Sequence, residues 1–146
     1  MPTQLPEWCD HTDAATASDL YVRNSHGYLT DLVPATGVIK GTFSGAKDLL
    51  AVGRSRIFAT CKGGAAVCAY SRSSRALVWT VSTTLAYPLA ALAGTILYLD
   101  NGIVLRSDTG ARLRTLWTGN ATAIVVGDGR VAVTTRLRIL DIFSLS

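Results

Sequence analysis

Residues 53–81 read GRSRIFATCKGGAAVCAYSRSSRALVWTV, and this stretch decides the fold. A Gly-led turn opens it, followed by Arg56-Ile-Phe-Ala-Thr60, a short β-branched and aromatic run. The Gly-Gly turn at Gly63 and Gly64 leads to a second run, Val67-Cys-Ala-Tyr70. A corner at Ser73-Ser-Arg75 precedes a third run containing Trp79. Runs of this length bounded by Gly and Ser read as strands joined by hairpins. The same plan recurs along the chain. Taking Leu20, Ile57, Ile96 and Val131 as equivalents gives steps of 37, 39 and 35 residues. The corner recurs as Ala35-Thr-Gly37 and Asp108-Thr-Gly110, and the aromatic as Phe43 and Trp117.

Each unit restarts with a small, apolar first strand: Leu49-Leu-Ala-Val52, Pro88-Leu-Ala-Ala-Leu92 and Ala123-Ile-Val-Val126. Such strands are expected where both faces are covered, as they are around the axis of a propeller. Four short antiparallel strands per repeat of about 37 residues, with no 3.6-residue periodicity, predict an all-β propeller of about four repeats. The blades are expected at residues 14–43, 48–81, 88–118 and 122–145, the last without its outermost strand. Residues 3–8, ending in Trp8, are a candidate closing strand. Closure through that strand would make a four-bladed ring. The alternative, favoured because short blades pack naturally in larger rings, is a part of a six- to eight-bladed propeller.

Composition agrees with strands. Apolar residues make up 49% of the 146 and charged ones 16%, which excludes a solvated, disordered chain. Glu7 is the sole glutamate and Lys40, Lys47 and Lys62 the sole lysines, so the Glu–Lys pairs of surface helices are missing. The net charge of +4 is carried almost entirely by arginine; a basic surface can favour an anionic partner, but plain solubility is the favoured reading of the charge. The arginines are spread out, without the dense basic stripe and interleaved aromatics of a nucleic-acid protein. The apolar run from Leu85 to Leu99 is broken by Pro88 and Gly94 and is too short for a membrane span; it reads as two strands turning at Ala93-Gly94. The polar, proline-broken start shows no signal peptide, so the chain as given is expected to be soluble.

Gly53 to Val81 resembles a blade of the pyrroloquinoline-quinone-type repeat family, and Ala93 to Trp117 fits the same template. Gly127 to Asp141 matches its first half. The resemblance implies a propeller fold. It covers both quinone-dependent alcohol dehydrogenases and non-catalytic bacterial envelope proteins, among them the propeller lipoprotein of the outer-membrane barrel-assembly machinery. Residues Arg136 to Phe143 are similar to the C-terminal end of actinobacterial members. The dehydrogenase branch carries adjacent cysteines and axial calcium-binding acids. This chain has no Cys-Cys pair, so no cofactor is expected.

Cys61 and Cys68 flank the turn between two strands of one blade, where opposed hairpin ends approach disulfide distance. The favoured reading is a structural disulfide; buried free thiols are the alternative. A spacing of six intervening residues with no nearby histidine is not a zinc pattern. A disulfide would place the protein outside the cytoplasm or in the cell envelope. Cys9 is left over. His11 and His26 lack a nucleophile in a suitable context, and the turn residues Asp100, Asn101, Asp108 and Asp128 read as hairpin chemistry rather than a calcium site. Trp79 and Trp117 occupy one repeat position and are expected to pack between blades. Any ligand or partner contacts are sought on loops near the axis, with Arg54, Arg56, His26 and Tyr87 the candidates. The leading expectation is a non-catalytic binding or scaffolding propeller of the bacterial envelope, contacting a protein or an anionic polymer. Its rivals are a fragment of a quinone-dependent oxidoreductase or hydrolase, and a lectin-like propeller that self-assembles into a homo-oligomer.

Overall fold

The computed structural model describes residues 9–135 and 140–144, with side chains from Ala14 onward. Four antiparallel sheets follow one another along the chain, each a meander in which sequence neighbours pair. Blade 1 comprises β1 (Cys9–Ala15), β2 (Leu20–Asn24), β3 (Leu29–Leu32) and β4 (Ile39–Thr42). Blade 2 comprises β5 (Leu49–Val52), β6 (Arg56–Cys61), β7 (Ala66–Ser71) and β8 (Leu77–Ser82), with one 3-10 turn at Lys62–Gly64. Blade 3 holds β9 (Ala90–Ala93), β10 (Ile96–Leu99), β11 (Ile103–Arg106) and β12 (Arg112–Thr115). Blade 4 has three strands among the described residues: β13 (Ala121–Gly127), β14 (Arg130–Thr135) and β15 (Leu140–Ser144). Contacts between blades run through the first strands, β1 with β5, β5 with β9 and β9 with β13. That is the arrangement of vanes about an axis, and the fold is a four-bladed β-propeller. Blade 1 begins at Cys9, ahead of the expected boundary at Ala14. The candidate closing strand at residues 3–8 lies outside the described residues.

Register shows how the blades stack. Leu20 pairs with Leu32, Ile57 with Tyr70, Leu97 with Leu105 and Val131 with Phe143. Ile57, Leu97 and Val131 each pack against the preceding blade, whereas Tyr21, Phe58 and Tyr98 each pack against the following one. The residue of blade 3 equivalent to Ile57 is therefore Leu97, one position later than Ile96. A one-residue slip matters because it exchanges the two faces of a strand. The apolar character of both Ile96 and Leu97 conceals the difference in the sequence.

Three clusters cement the interfaces. Between blades 1 and 2, Tyr21, Leu29 and Phe43 meet Ile57, Ala59 and Tyr70. Phe58 and Trp79 meet Leu97, Leu99 and Leu105 between blades 2 and 3. Tyr98, Val104 and Trp117 meet Val131 and Val133 between blades 3 and 4. Both tryptophans thus sit between blades, and each indole is also hydrogen-bonded. Trp79 Nε1 donates to the Ser107 carbonyl and Trp117 Nε1 to that of Asp100, both at 3.0 Å. Gly102 permits the second contact, since a Cβ there would lie 2.0 Å from the Trp117 carbonyl oxygen. Val22, Thr30 and Leu32, on the opposite face of blade 1, are buried as well.

Candidate functional site

A meander sends alternate hairpin turns to opposite ends of the sheet. In every blade the turns joining strands one to two and three to four lie on one rim, here the first rim. Turns joining strands two to three, together with the links between blades, lie on the second rim. Arg54, in the β5–β6 turn, and Arg56, at the start of β6, fall on the first rim. His26, in the β2–β3 turn, and Tyr87, in the link from blade 2 to blade 3, fall on the second. The four candidate contact residues are thus not gathered into one site.

Their individual surroundings differ too. Arg56 is half-buried and its Nη1 donates to the Ser107 carbonyl at 3.1 Å and to that of Asp108, tying blade 2 to blade 3. Tyr87 is partly exposed, and its amide donates to Asp100 Oδ2 at 2.7 Å. Asp100 is fully buried, with Oδ1 unpaired. Burial pushes its carboxyl up to about 6 despite the backbone amides it accepts from. His26 is exposed and borders shallow depressions, one of them shared with Lys47 and Lys62. Arg54 is exposed, and no described residue engages its guanidinium.

Arg54 overlooks a depression of about 390 Å³ at the junction of blades 1 and 2 on the first rim. Lys40, Arg72 and Arg75 supply three further cations to its wall, and Ser18 and Ser73 supply hydroxyls. Beneath them lie two acids of blade 1. Asp19 takes hydrogen bonds from Lys40 Nζ, from Ser18 Oγ at 2.7 Å and from Arg72 Nη2 at 2.9 Å. Burial alone would raise its carboxyl, but Lys40, Ser18 and Arg72 outweigh burial and hold it well below the usual carboxylate range. Asp31 is fully buried in β3 and accepts from Arg75 Nη2 at 3.1 Å. Burial pushes Asp31 up to about 6; the negative Asp19 beside it adds to the rise and Arg75 opposes it. Arg72 also donates from Nε to the Tyr21 hydroxyl at 2.9 Å and from Nη1 to the Gly53 carbonyl at 2.9 Å.

Sequence reasoning missed this cluster, although one signal was visible. In the repeated corner, Gly37 and Gly110 take φ of +69° and +76°, as glycine does readily. The third corner places Arg75 there at φ +63°, a left-handed conformation unfavourable for a residue with a Cβ. Its side chain crosses to blade 1 over Gly41, where a Cβ would lie 2.5 Å from Arg75 Cδ. A side chain replacing a turn glycine, a glycine in the facing strand and a buried Asp31 form one device.

Cys61 and Cys68 are joined: S–S is 2.06 Å and Cα–Cα 6.0 Å. The pair lies in the cluster between blades 1 and 2, clipping β6 to β7. Among the described residues, no set of three or more His, Cys, Asp or Glu side chains is gathered as a metal would require. Nor is any helix among them long and apolar enough to cross a membrane.

A β-propeller that bears a cationic depression between two blades is the class that this geometry defines. The chain matches no protein-family model and no curated protein sequence. Its likeness is to solved propeller structures. It is similar to the computationally designed Ika4 protein, with a TM-score of 0.81 at 15% identity, over 99% of this chain and 97% of that one. BamB from Moraxella catarrhalis, a propeller of the quinone-type repeat, aligns with a TM-score of 0.68 at 17% identity, over 88% of this chain and 47% of BamB. Hsv2 from Kluyveromyces lactis gives 0.62 at 8% identity, over 89% of this chain and 43% of its own length. The chain therefore spans less than half the length of each of these two proteins.

Proposed function

We propose that this propeller is a non-catalytic binding or scaffolding module of the bacterial cell envelope, related to the quinone-type repeat proteins, whose first rim docks an anionic partner, either an acidic protein surface or an anionic polymer. The observation that carries the reading is the depression between blades 1 and 2, where Lys40, Arg54, Arg72 and Arg75 converge over two acids. Cations on a concave surface focus the field outward, which raises encounter rates and selects partners of opposite sign. The Cys61–Cys68 disulfide supports a compartment outside the cytoplasm, since such bonds persist under oxidising conditions. The resemblance of residues 53–81 to the quinone-type repeat, and the fold likeness to BamB, support the family placement.

Retention on immobilised poly-L-glutamate tests the docking role. Arg54→Glu should weaken retention at low salt, whereas Lys62→Glu, on the second rim, should leave it near the wild-type value. Equal loss in both variants would mean that overall charge alone is sensed. No loss in either would remove the first rim as the docking surface.

A further inference from the structure

We propose that the depression between blades 1 and 2 is a binding site for a single oxyanion group, carboxylate or phosphate-like, held between the Arg54 guanidinium and the Lys40 ammonium. The inference deepens the docking role proposed above, on which it rests, by naming the group that enters. Its warrant is the imbalance of charge and hydrogen bonding in the cluster. Arg72 is committed to Asp19, Tyr21 and the Gly53 carbonyl and Arg75 to Asp31, while Lys40, which donates to Asp19 and the Ser18 carbonyl, keeps one of its three N–H donors for a further oxygen. Arg54 borders the same space with no described partner. Arg75 Nε is buried without a hydrogen-bond acceptor. Two carboxylates under four cations leave an excess of positive charge at the mouth, enough for one anionic group at a time. The Ser73 hydroxyl lies on the wall, where it can donate to an incoming oxygen, whereas the Ser18 hydroxyl already donates to Asp19. Arginine suits such a role because its planar fork bonds two oxygens of a carboxylate or phosphate at once.

Asp31 sets the strength of the site. From Asp31's own blade it is faced by Lys40, Asp19 and the Tyr21 hydroxyl, and from blade 2 by Arg75, with Arg72 behind Tyr21. When the Asp31 carboxyl takes up a proton, its ion pairs with Arg75 and Lys40 are lost and both cations face the depression with one negative charge fewer behind them. Oxyanion binding is therefore tighter below about pH 6 than above it.

Titration of the full chain with sulfate, whose charge is constant between pH 5 and 8, tests both statements, followed by the backbone amide shifts of Arg54, Ser73 and Ser18. Saturable shifts are expected at these amides. Loss of one charge-assisted bond in Arg54→Gln should weaken binding about tenfold. Lys62→Gln should not alter it. Sulfate should bind several-fold more tightly at pH 5 than at pH 7.5, and Asp31→Asn should abolish that difference while binding at pH 7.5 becomes as tight as at pH 5. Acetate at pH 7.5 distinguishes a carboxylate preference from a phosphate-like one. Shifts that are non-saturable, that spread over the surface, or that persist undiminished in Arg54→Gln would overturn the site. If polyglutamate retention stayed sensitive to Arg54→Glu while sulfate and acetate left these amides unmoved, the single-anion site would fall and the docking reading would stand.

Discussion

Arg75 and Asp31 show how a single position can work against its own repeat. A non-glycine residue in the left-handed region costs about 1 kcal/mol, and the sister corners avoid that cost with glycine. The ion pair to a fully buried carboxylate outweighs it, because removing one member of a buried pair leaves an uncompensated charge. Arg75→Gly should therefore destabilise the wild-type chain in urea unfolding at pH 7.5. In an Asp31→Asn background the same change should become neutral or stabilising by about 1 kcal/mol, since only the strain remains to be relieved. Identical effects in both backgrounds would mean that the pair contributes nothing. Asp31 also predicts a pH dependence whose sign is fixed by its raised pKa. The folded chain binds this proton more tightly than the unfolded one, so the contribution of Asp31 to stability is greatest below the ordinary aspartate value of 3.8 and falls as pH rises to about 6. Wild type should lose roughly 2 kcal/mol relative to Asp31→Asn between pH 4.5 and 7.5 and nothing more beyond. Asp19 acts in the opposite sense: its stabilising pairs are intact at neutral pH and are lost only in strong acid.

At the scale of strands and hairpins, what the sequence reveals depends on how far apart the interacting groups lie. Cys61 and Cys68 belong to strands joined by one tight turn, so their opposition follows from local geometry and could be read directly. The pattern of short apolar runs and Gly turns pointed to antiparallel β-blades for the same reason. The phase of blade 3 was misread because Ile96 and Leu97 are both apolar, and only their burial against different blades tells them apart. The ties between blades were not legible at all. Arg72 reaches Tyr21 and Asp19, and Arg56 reaches Ser107 and Asp108, across about fifty residues of chain. A flexible, charged side chain at a turn carries no signature of its partner, so the two second-rim candidates, His26 and Tyr87, looked equivalent to Arg54. The local disulfide carries its own expectation. Closing a loop this short restricts the unfolded chain by about 2 kcal/mol, so Cys61→Ala with Cys68→Ala should lower stability by about that amount. Dithiothreitol should reduce the wild type to a similar urea midpoint and leave the double variant unchanged. A wild-type midpoint insensitive to reductant would show that the clip constrains little.

Over the whole molecule, burial is distributed unevenly around the axis, and this predicts where the propeller opens first. Strand β7 is buried almost throughout, flanked by β6 and β8 and covered by the clusters on both sides of blade 2. Blade 4 packs against blade 3 through Val131, Val133 and Phe143, but its other face leaves Val125 66% exposed and Leu140 and Ile142 each 60% exposed. Stacked units draw their stability from nearest-neighbour interfaces as well as from their own strands. A blade with one covered face and three described strands has less to lose on opening than one held on both sides. Local opening free energy tracks buried apolar contact, so amide exchange should grade along the chain. The amides of β14 are expected to exchange well before those of β6 and β7, with β10 and β11 in between. Leu97→Ala, which cuts a cavity into the interface between blades 2 and 3, should cost about 2–5 kcal/mol. By weakening that contact it should bring the exchange of β10 and β11 closer to that of β14 while leaving β6 slower. Simultaneous exchange of all four blades, in wild type and variant alike, would show instead that the propeller opens only as a unit and that its interfaces are equally strong around the axis.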